Sequence, residues 1–381
     1  MNVLFVSNGH GETAIAARIA SQLRQLMPAI RCDHLALVGD AWQLDSLQEV
    51  GPRRAMPSGG LIAMGNLGNI ARDLGAGLAG LTIAQWRFLR SVRGEYSVIV
   101  AVGDVLALVM ALQARARATV FVGTAKSVHV ASYGRFERSI IRKAQAVFVR
   151  DAATAQDLQS SGIAAVPANV IADLGDRGKA AQLPGNGATQ LAIFPGSRDS
   201  AYEDARFLLA VVRRVAQDDP NVRAVLSIAP ALQAERFAEL LRADGWRVER
   251  RDDPHVPFAA FDDGRELVTT WTGPGEAMLS AAQLVLGQAG TANEAAAAAG
   301  IPVIAFVPSR ERKKWYRRRQ AQLLGDALLI VPRDVVEGAR AAGDLLRDPQ
   351  RRKEMAQAGR ERMGPPGAAR TIAERIVQLC A

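Results

Sequence analysis

Short, near-continuous apolar runs alternate with helix-length stretches along this chain, and the alternation stops once and then restarts. In the first half the runs are Val3–Val6, Ser97–Val102, Thr119–Val122 and Ala146–Val149. In the second they are Leu191–Phe194, Arg223–Ile228, Leu284–Gly287, Pro302–Val307 and Ala327–Val331. Strands that are apolar on both faces belong to parallel sheets covered by helices on both sides, so the pattern predicts an α/β fold. The break, residues 173–189 (DLGDRGKAAQLPGNGAT), is rich in Gly, Asp and Pro, has no apolar period and reads as a linker. The reading is therefore two α/β domains, residues 1–175 and 190–364, joined by residues 176–189. The amphipathic segment 365–381 is expected to pack back on the first domain. Helices are expected near 12–26, 42–50, 65–92, 135–144, 202–217 and 233–244. A length of 381 residues suits two such domains.

Composition narrows the function classes. Lys and Arg number 47 against 38 Asp and Glu, a formal charge of +9, which suits a phosphorylated ligand, an anionic membrane face or nucleic acid. The densest basic run is Arg310–Arg319 (RERKKWYRRR), which also reads as a solvated helix face. No helix-turn-helix, zinc-finger or RNA-recognition signature accompanies it, so no nucleic acid partner is expected. Cys32 and Cys380 are the two cysteines and have no CxxC spacing, so neither a disulfide nor a cysteine metal site is expected, and a cytoplasmic setting fits. The first residues read as a strand rather than a signal peptide. No uninterrupted apolar run reaches the roughly 18 residues of a transmembrane helix.

Ligands of open parallel sheets bind at the carboxyl ends of the strands, and four loops there carry unusual chemistry. The first is Ser7-Asn8-Gly9-His10-Gly11-Glu12, where Gly9 and Gly11 let the backbone turn tightly and a helix N-terminus follows. It is not the GxGxxG fingerprint of dinucleotide sites. His10 either reaches the site as a base or bonds its own loop, and Glu12 also favours the helix dipole. The second is Gly103-Asp104, where Asp104 is a candidate base, a partner for His10, or an N-cap for the next helix. The third is Pro195-Gly196-Ser197-Arg198, a phosphate-sized turn with a hydroxyl and a permanent cation, or a plain strand-to-helix turn. The fourth is Gly290-Thr291-Ala292-Asn293-Glu294. Its small residues let a diphosphate approach a helix N-terminus, and Glu294 is placed to accept the hydroxyls of a ribose. Close helix packing is the other reading, supported by Ala295–Ala299. Gln320, in the helix after the basic run, is a weaker candidate for bonding sugar hydroxyls.

Taken in order, SNGHGE, PSGG (57–60), DLGAGLAGLTIAQWRFLR (73–90), AVGD (101–104), FVGTAKS (121–127), FPGSR (194–198), GTANEAAAAAGIPV (290–303) and QAQLLG (320–325) resemble the lipid A disaccharide synthase-related proteins. These are similar to glycosyltransferases of the GT-B type, which have two Rossmann-like domains facing across a cleft. The resemblance implies a metal-independent enzyme with no cofactor beyond a UDP-sugar donor. Gly290, Thr291, Ala292 and Glu294 would hold the donor, with Gly196, Ser197, Arg198 and Gln320 facing it. Asn8, Gly9, Gly11 and Glu12 would form the acceptor-side loop, with His10 or Asp104 as the base. The first loop and the NVIADL run at 169–174 depart from relatives, which leaves the acceptor open.

The expected activity is transfer of GlcNAc, or an acylated derivative, from a UDP-sugar to a hydroxyl of a lipid or glycolipid. Residues 57–86, with Arg72, Arg87, Arg90 and Arg93 nearby, are read as a peripheral contact with the inner face of the cytoplasmic membrane. Two alternatives share the same donor loops: a UDP-GlcNAc 2-epimerase-like enzyme, and a non-catalytic nucleotide-sugar-binding protein.

Overall fold

A computed structural model describes residues 1–38, 46–54, 77–175, 189–307 and 314–380, without the side chains of His10 and of residues 314–317. Residues 57–76 of the expected membrane-facing stretch 57–86, most of the linker, and residues 310–313 of the basic run lie outside the described residues. Two compact units emerge. The first is Met1–Asp173 together with Pro366–Ala381, and the second is Leu174–Pro365.

The first unit is built on a seven-stranded sheet: β1 (Asn2–Ser7), β2 (Arg31–Ala36), β3 (Gln48–Glu49), β4 (Val98–Gly103), β5 (Ala118–Gly123), β6 (Ala146–Val149) and β7 (Ala165–Pro167). The order is β3-β2-β1-β4-β5-β6-β7, and every pairing is parallel. Val3–Val6, Val98–Val102 and Val120–Val122 are buried, as strands covered on both faces require. The covering helices are α1 (His10–Leu26), α2 (Leu78–Ser91), α3 (Val105–Ala111), α4 (Arg135–Ile141), α5 (Ala152–Gln159) and α6 (Val170–Leu174). In α2, Leu78, Leu81, Gln85 and Leu89 face inward, while Ile83 and Trp86 remain exposed.

The second unit has eight strands: β8 (Thr189–Phe194), β9 (Val222–Ser227), β10 (Arg247–Arg250), β11 (Phe258–Asp262), β12 (Arg265–Trp271), β13 (Leu284–Gly287), β14 (Val303–Val307) and β15 (Leu328–Pro332). Their order is β10-β11-β12-β9-β8-β13-β14-β15. The body is parallel, and β10–β11–β12 forms an antiparallel edge. Its helices are α7 (Ser200–Asp218), α8 (Ala234–Ala243), α9 (Gly275–Ala281), α10 (Thr291–Ala298), α11 (Lys314–Leu324), α12 (Val335–Arg347) and α13 (Pro349–Met363). Leu191, Ile193, Leu208, Val212, Phe237 and Phe306 lie in its core.

The last helix, α14 (Ala368–Cys380), belongs to the first unit and packs on α1. Its apolar stripe of Ala369, Ile372, Ala373 and Ile376 is buried. Asp173 secures its start: the buried carboxylate accepts from Gly367 N, and from Ala369 N at 2.6 Å. An acidic side chain there satisfies orphan N–H groups and favours the helix dipole. Asp173 therefore opens no linker, contrary to its composition, because its partner lies almost two hundred positions along the chain. The helix expected at 42–50 also gives way. Gln48–Glu49 is a strand, held by its ladder to Asp33 and His34. No described helix is long and apolar enough to cross a membrane.

Candidate functional site

In the first unit, β1 and β4 are neighbours, and their carboxyl ends bring SNGHGE beside AVGD. Gly103 has φ +134°, and a Cβ on it would lie 2.1 Å from Asn8 Oδ1 and 3.4 Å from Glu12 Cγ. Both the backbone conformation and the close approach require glycine. Asn8, Glu12 and Asp104 thus share one corner. Asp104 is the N-cap of α3: its Oδ1 accepts from Leu106 N at 2.9 Å and Ala107 N at 3.1 Å. Burial pushes its carboxyl above the ordinary range, and hydrogen bonds from those two amides and from the Asn8 side chain oppose the shift. A helix cap and a carboxyl of raised pKa coexist in this one residue. Gly11 lies in the first turn of α1, and Gly9 precedes the helix with an extended backbone. His10 opens the same helix, and its side chain lies outside the described residues.

The neighbouring edge of β5 and β6 adds groups outside the four loops. Thr124 N donates to Gly103 O at 3.0 Å, and the buried Arg150 donates to Thr124 O at 3.0 Å. Tyr133 is buried over Gly123, its Oη 2.5 Å from where a Cβ would stand. Burial raises its pKa, the nearby Glu137 adds to that rise, and Arg150 opposes it. Among the described residues neither Tyr133 Oη nor Thr124 Oγ1 has a hydrogen-bond partner. Lys126 lies 5.7 Å from the Tyr133 ring centre and pairs with Glu137 at 2.7 Å. FVGTAKS carries Thr124 and Lys126, but nothing local links that motif to Tyr133 or Arg150.

In the second unit the chemistry belongs to the backbone. β8 and β13 are adjacent, so the PGSR loop and the Gly290 turn emerge side by side. Gln288 N donates to Phe194 O at 2.8 Å and joins the two. Gly196 has φ +124°, a conformation that L side chains rarely adopt; Ser197 is half-buried and Arg198 exposed. Gly290 precedes α10, whose first N–H groups, at Thr291, Ala292 and Asn293, point out of the turn. Glu294 N is already used on Gly290 O at 3.2 Å, and the Glu294 side chain is half-buried one turn in.

This turn is braced from behind. Buried Asn293 donates to Gly287 O at 3.2 Å, and a Cβ on Gly287 would lie 1.8 Å from Asn293 Oδ1. Buried Gln320 directs its amide nitrogen at Ala289 O (3.2 Å) and Gly290 O (3.4 Å), so its described bonds hold the loop itself. The hairpin β11–β12 and the Thr272–Pro274 loop after it were not anticipated. The signals were Asp263–Gly264, with positive φ at both residues, and the Gly-Pro-Gly run. Among the described residues no group of acidic, His or Cys side chains is arranged to hold a metal ion.

No protein-family model and no curated protein matches the chain. Solved structures do. A protein described as a UDP-N-acetylglucosamine 2-epimerase from Listeria monocytogenes aligns with a TM-score of 0.60 and 14% identity, covering 99% of this chain and 96% of its own. The UDP-GlcNAc 2-epimerase from Neisseria meningitidis, bound to UDP-GlcNAc, aligns with a TM-score of 0.59 and 12% identity over 99% and 100%. MurG from Acinetobacter baumannii, a GT-B glycosyltransferase, aligns with a TM-score of 0.52 and 14% identity over 99% of each chain.

The chain therefore has a GT-B fold of two Rossmann-like units. The expectation of sugar transfer to a lipid hydroxyl is corrected by these neighbours, which are led by 2-epimerases and fit the alternative activity better. The physical reason is that the motifs read from the sequence would suit a nucleotide-binding turn and carry no further signal. Such a turn is the same whether the sugar is handed to an acceptor or altered in place.

Proposed function

We propose that the protein binds UDP-GlcNAc and inverts its sugar at C2. The observation that carries this reading is the full-length fold shared with a 2-epimerase bound to UDP-GlcNAc. The motif likeness to lipid A disaccharide synthase-related proteins is retained as a proposal of kinship, and it supports the same nucleotide-binding loops.

The chemistry divides between the units. The C2 hydrogen is not adjacent to a carbonyl, so its removal must be coupled to departure of a leaving group from C1. A base takes the C2 proton, the C2–H electron pair forms the C1=C2 bond, and the C1–O bond to UDP breaks. Return of UDP to C1 and of a proton to the opposite face of C2 completes the inversion. The sequence is redox-neutral, and no atom is gained or lost.

In this reading the N–H groups of Thr291, Ala292 and Asn293 take the charge that builds on the diphosphate, with Arg198 adding a cation. Glu294 accepts the ribose hydroxyls. Gly196 and Ser197 lie against the phosphates, and Gln320 keeps the turn in shape. On the sugar side, Asp104 exchanges the proton, its carboxyl raised above its ordinary value by burial. Asn8 and Glu12 hold the corner, with His10 as the second proton-exchanging group. Incubation of the protein with UDP-GlcNAc alone, followed by chromatography, tests the reading. The C2 epimer is expected, and an unchanged substrate with UDP bound would leave only a nucleotide-sugar-binding protein.

A further inference from the structure

The first unit also carries chemistry at the sheet edge away from Asp104. β4, β5 and β6 are adjacent and parallel, so the connections that lead into them meet at the amino edge. Each connection is basic: Arg93 precedes β4, Arg115 and Arg117 precede β5, and Arg142 and Lys143 precede β6. Arg93, Arg115 and Lys143 line one cavity of about 330 Å³. Its apolar wall is Val109 from α3, Leu112 from the single 3-10 turn Leu112–Ala114, and Ile140 from α4. Ile140 belongs to the core of this unit, and Val109 and Leu112 pack against that core. Among the described residues no acidic side chain lines the cavity.

These three cations differ from the arginines of the outer helices. There Arg206 pairs with Asp244, Arg214 with Asp218 and Arg340 with Glu337. Among the described residues none of the cavity's three has an acidic partner. Arg93 is held by its Nε, which donates to Gln113 O at 3.1 Å, and Gly94 N ties the same two segments by donating to Ala114 O at 3.1 Å. A guanidinium anchored in this way presents its two Nη groups as a fork, the geometry that meets two oxygens of a phosphate. Arg115 has φ +45°, a left-handed conformation that usually falls to glycine or asparagine at the end of a helical turn. A long cation kept there is explained by what its charge can hold. Partial burial lowers the pKa of Arg93, and Arg115 and Arg90 lower it further, so the charges disfavour one another. An anion seated among them removes that repulsion.

The cavity has room for more than a bare phosphate, and mostly apolar walls with a few placed polar groups are usual for small-molecule sites. The apolar surface continues outward along α4, where Phe136, four residues before Ile140 and on the same face, is 77% exposed. We infer that Arg93, Arg115 and Lys143 bind the phosphate group of an ester whose apolar part lies on Val109, Leu112 and Ile140. The groups assigned to UDP-GlcNAc lie at carboxyl edges, so this amino-edge site stands whether or not the protein epimerises anything.

The test titrates phenyl phosphate into the full chain and follows proton–nitrogen NMR, with the Arg93 Nε–Hε signal assigned by its disappearance in Arg93→Lys. This local signal separates the site from phosphate held elsewhere on the chain. It is expected to shift and saturate. Arg115→Gly, which suits the left-handed backbone, and Lys143→Gln should each weaken binding about tenfold, the weight of a charge-assisted hydrogen bond. Arg117→Gln removes the same charge two positions away, outside the cavity, and should leave the affinity unchanged. Inorganic phosphate should shift the same signal with lower affinity, because the apolar wall then stays in water. Phosphatidylcholine vesicles containing phosphatidic acid separate two sources of this chemistry. Co-sedimentation that is lost in Arg115→Gly identifies a lipid headgroup, and phenyl phosphate binding without co-sedimentation identifies a soluble ester. An Arg93 signal indifferent to phenyl phosphate, equal affinities for phenyl phosphate and inorganic phosphate, or equal losses in Arg115→Gly and Arg117→Gln would overturn the inference.

Discussion

The carboxyl edges of the two sheets solve different problems with the same topology. In the second unit the edge offers backbone N–H groups in a turn of small residues, braced by Asn293 and Gln320. In the first unit the edge offers side chains: Asp104, Asn8 and Glu12 at one corner, with Tyr133, Lys126 and Arg150 beside it. Backbone groups do not titrate and give steady binding to a charged diphosphate. Side chains of shifted pKa exchange protons. Under the proposed reaction the contrast would place its two halves, holding the leaving group and moving the proton, on separate sheets of one chain.

Exchanging these roles by mutation should fail in different ways. The largest effect is expected from Asp104→Asn. Asparagine still caps α3, so the fold should be kept and UDP affinity should be unchanged, while turnover falls by roughly 10²- to 10⁴-fold, the usual weight of a general acid–base group. A comparable loss of UDP affinity instead would erase the distinction between the two edges. Next is Gly287→Ala, whose Cβ must displace Asn293 Oδ1. It should cost about 1–3 kcal/mol of stability, as overpacking does, and weaken UDP binding measured by calorimetry. Smaller again is Glu294→Ala, expected to weaken UDP roughly 10- to 100-fold, since a hydrogen bond to a charged group contributes about 1.5–3 kcal/mol. The rate at saturating UDP-GlcNAc should be retained.

The smallest effect is on stability against pH. The carboxyl of Asp104 is raised in the folded protein above its ordinary 3.8. Its contribution is therefore fully present below that value and is lost as pH rises through the folded pKa. Melting curves of wild type and Asp104→Asn should diverge across that acid window, with the wild type losing ground as pH rises. Parallel curves would remove the buried-carboxyl account.

The strands that build both edges were legible because β1, β4, β5, β8 and β13 are apolar runs buried on both faces, a signal carried by consecutive residues. The turn before α10 was legible for a related reason: a close backbone turn needs small residues, and Gly290-Thr291-Ala292 announces that need locally. Strand β3, two residues long, has no period of its own and exists through its pairing with β2. Tyr133 and Arg150 come from separate elements and share a corner only because β5 and β6 are neighbours. Arg93, Arg115 and Lys143 are likewise ordinary basic residues until the adjacency of β4, β5 and β6 brings them to one edge. Asp173 looked like linker because its partners are Gly367 and Ala369. The activity itself was misread for want of a local signal, since a diphosphate turn does not record what happens to the sugar.

One measurement tests the division of labour most directly. UDP-GlcNAc is incubated with the protein in deuterium oxide and followed by proton NMR. The account predicts that the C2 proton signal decays as deuterium enters from solvent, that the C2 epimer appears with it, and that Asp104→Asn stops both while UDP still binds. A C2 proton that survives prolonged incubation with protein shown to bind UDP would contradict it.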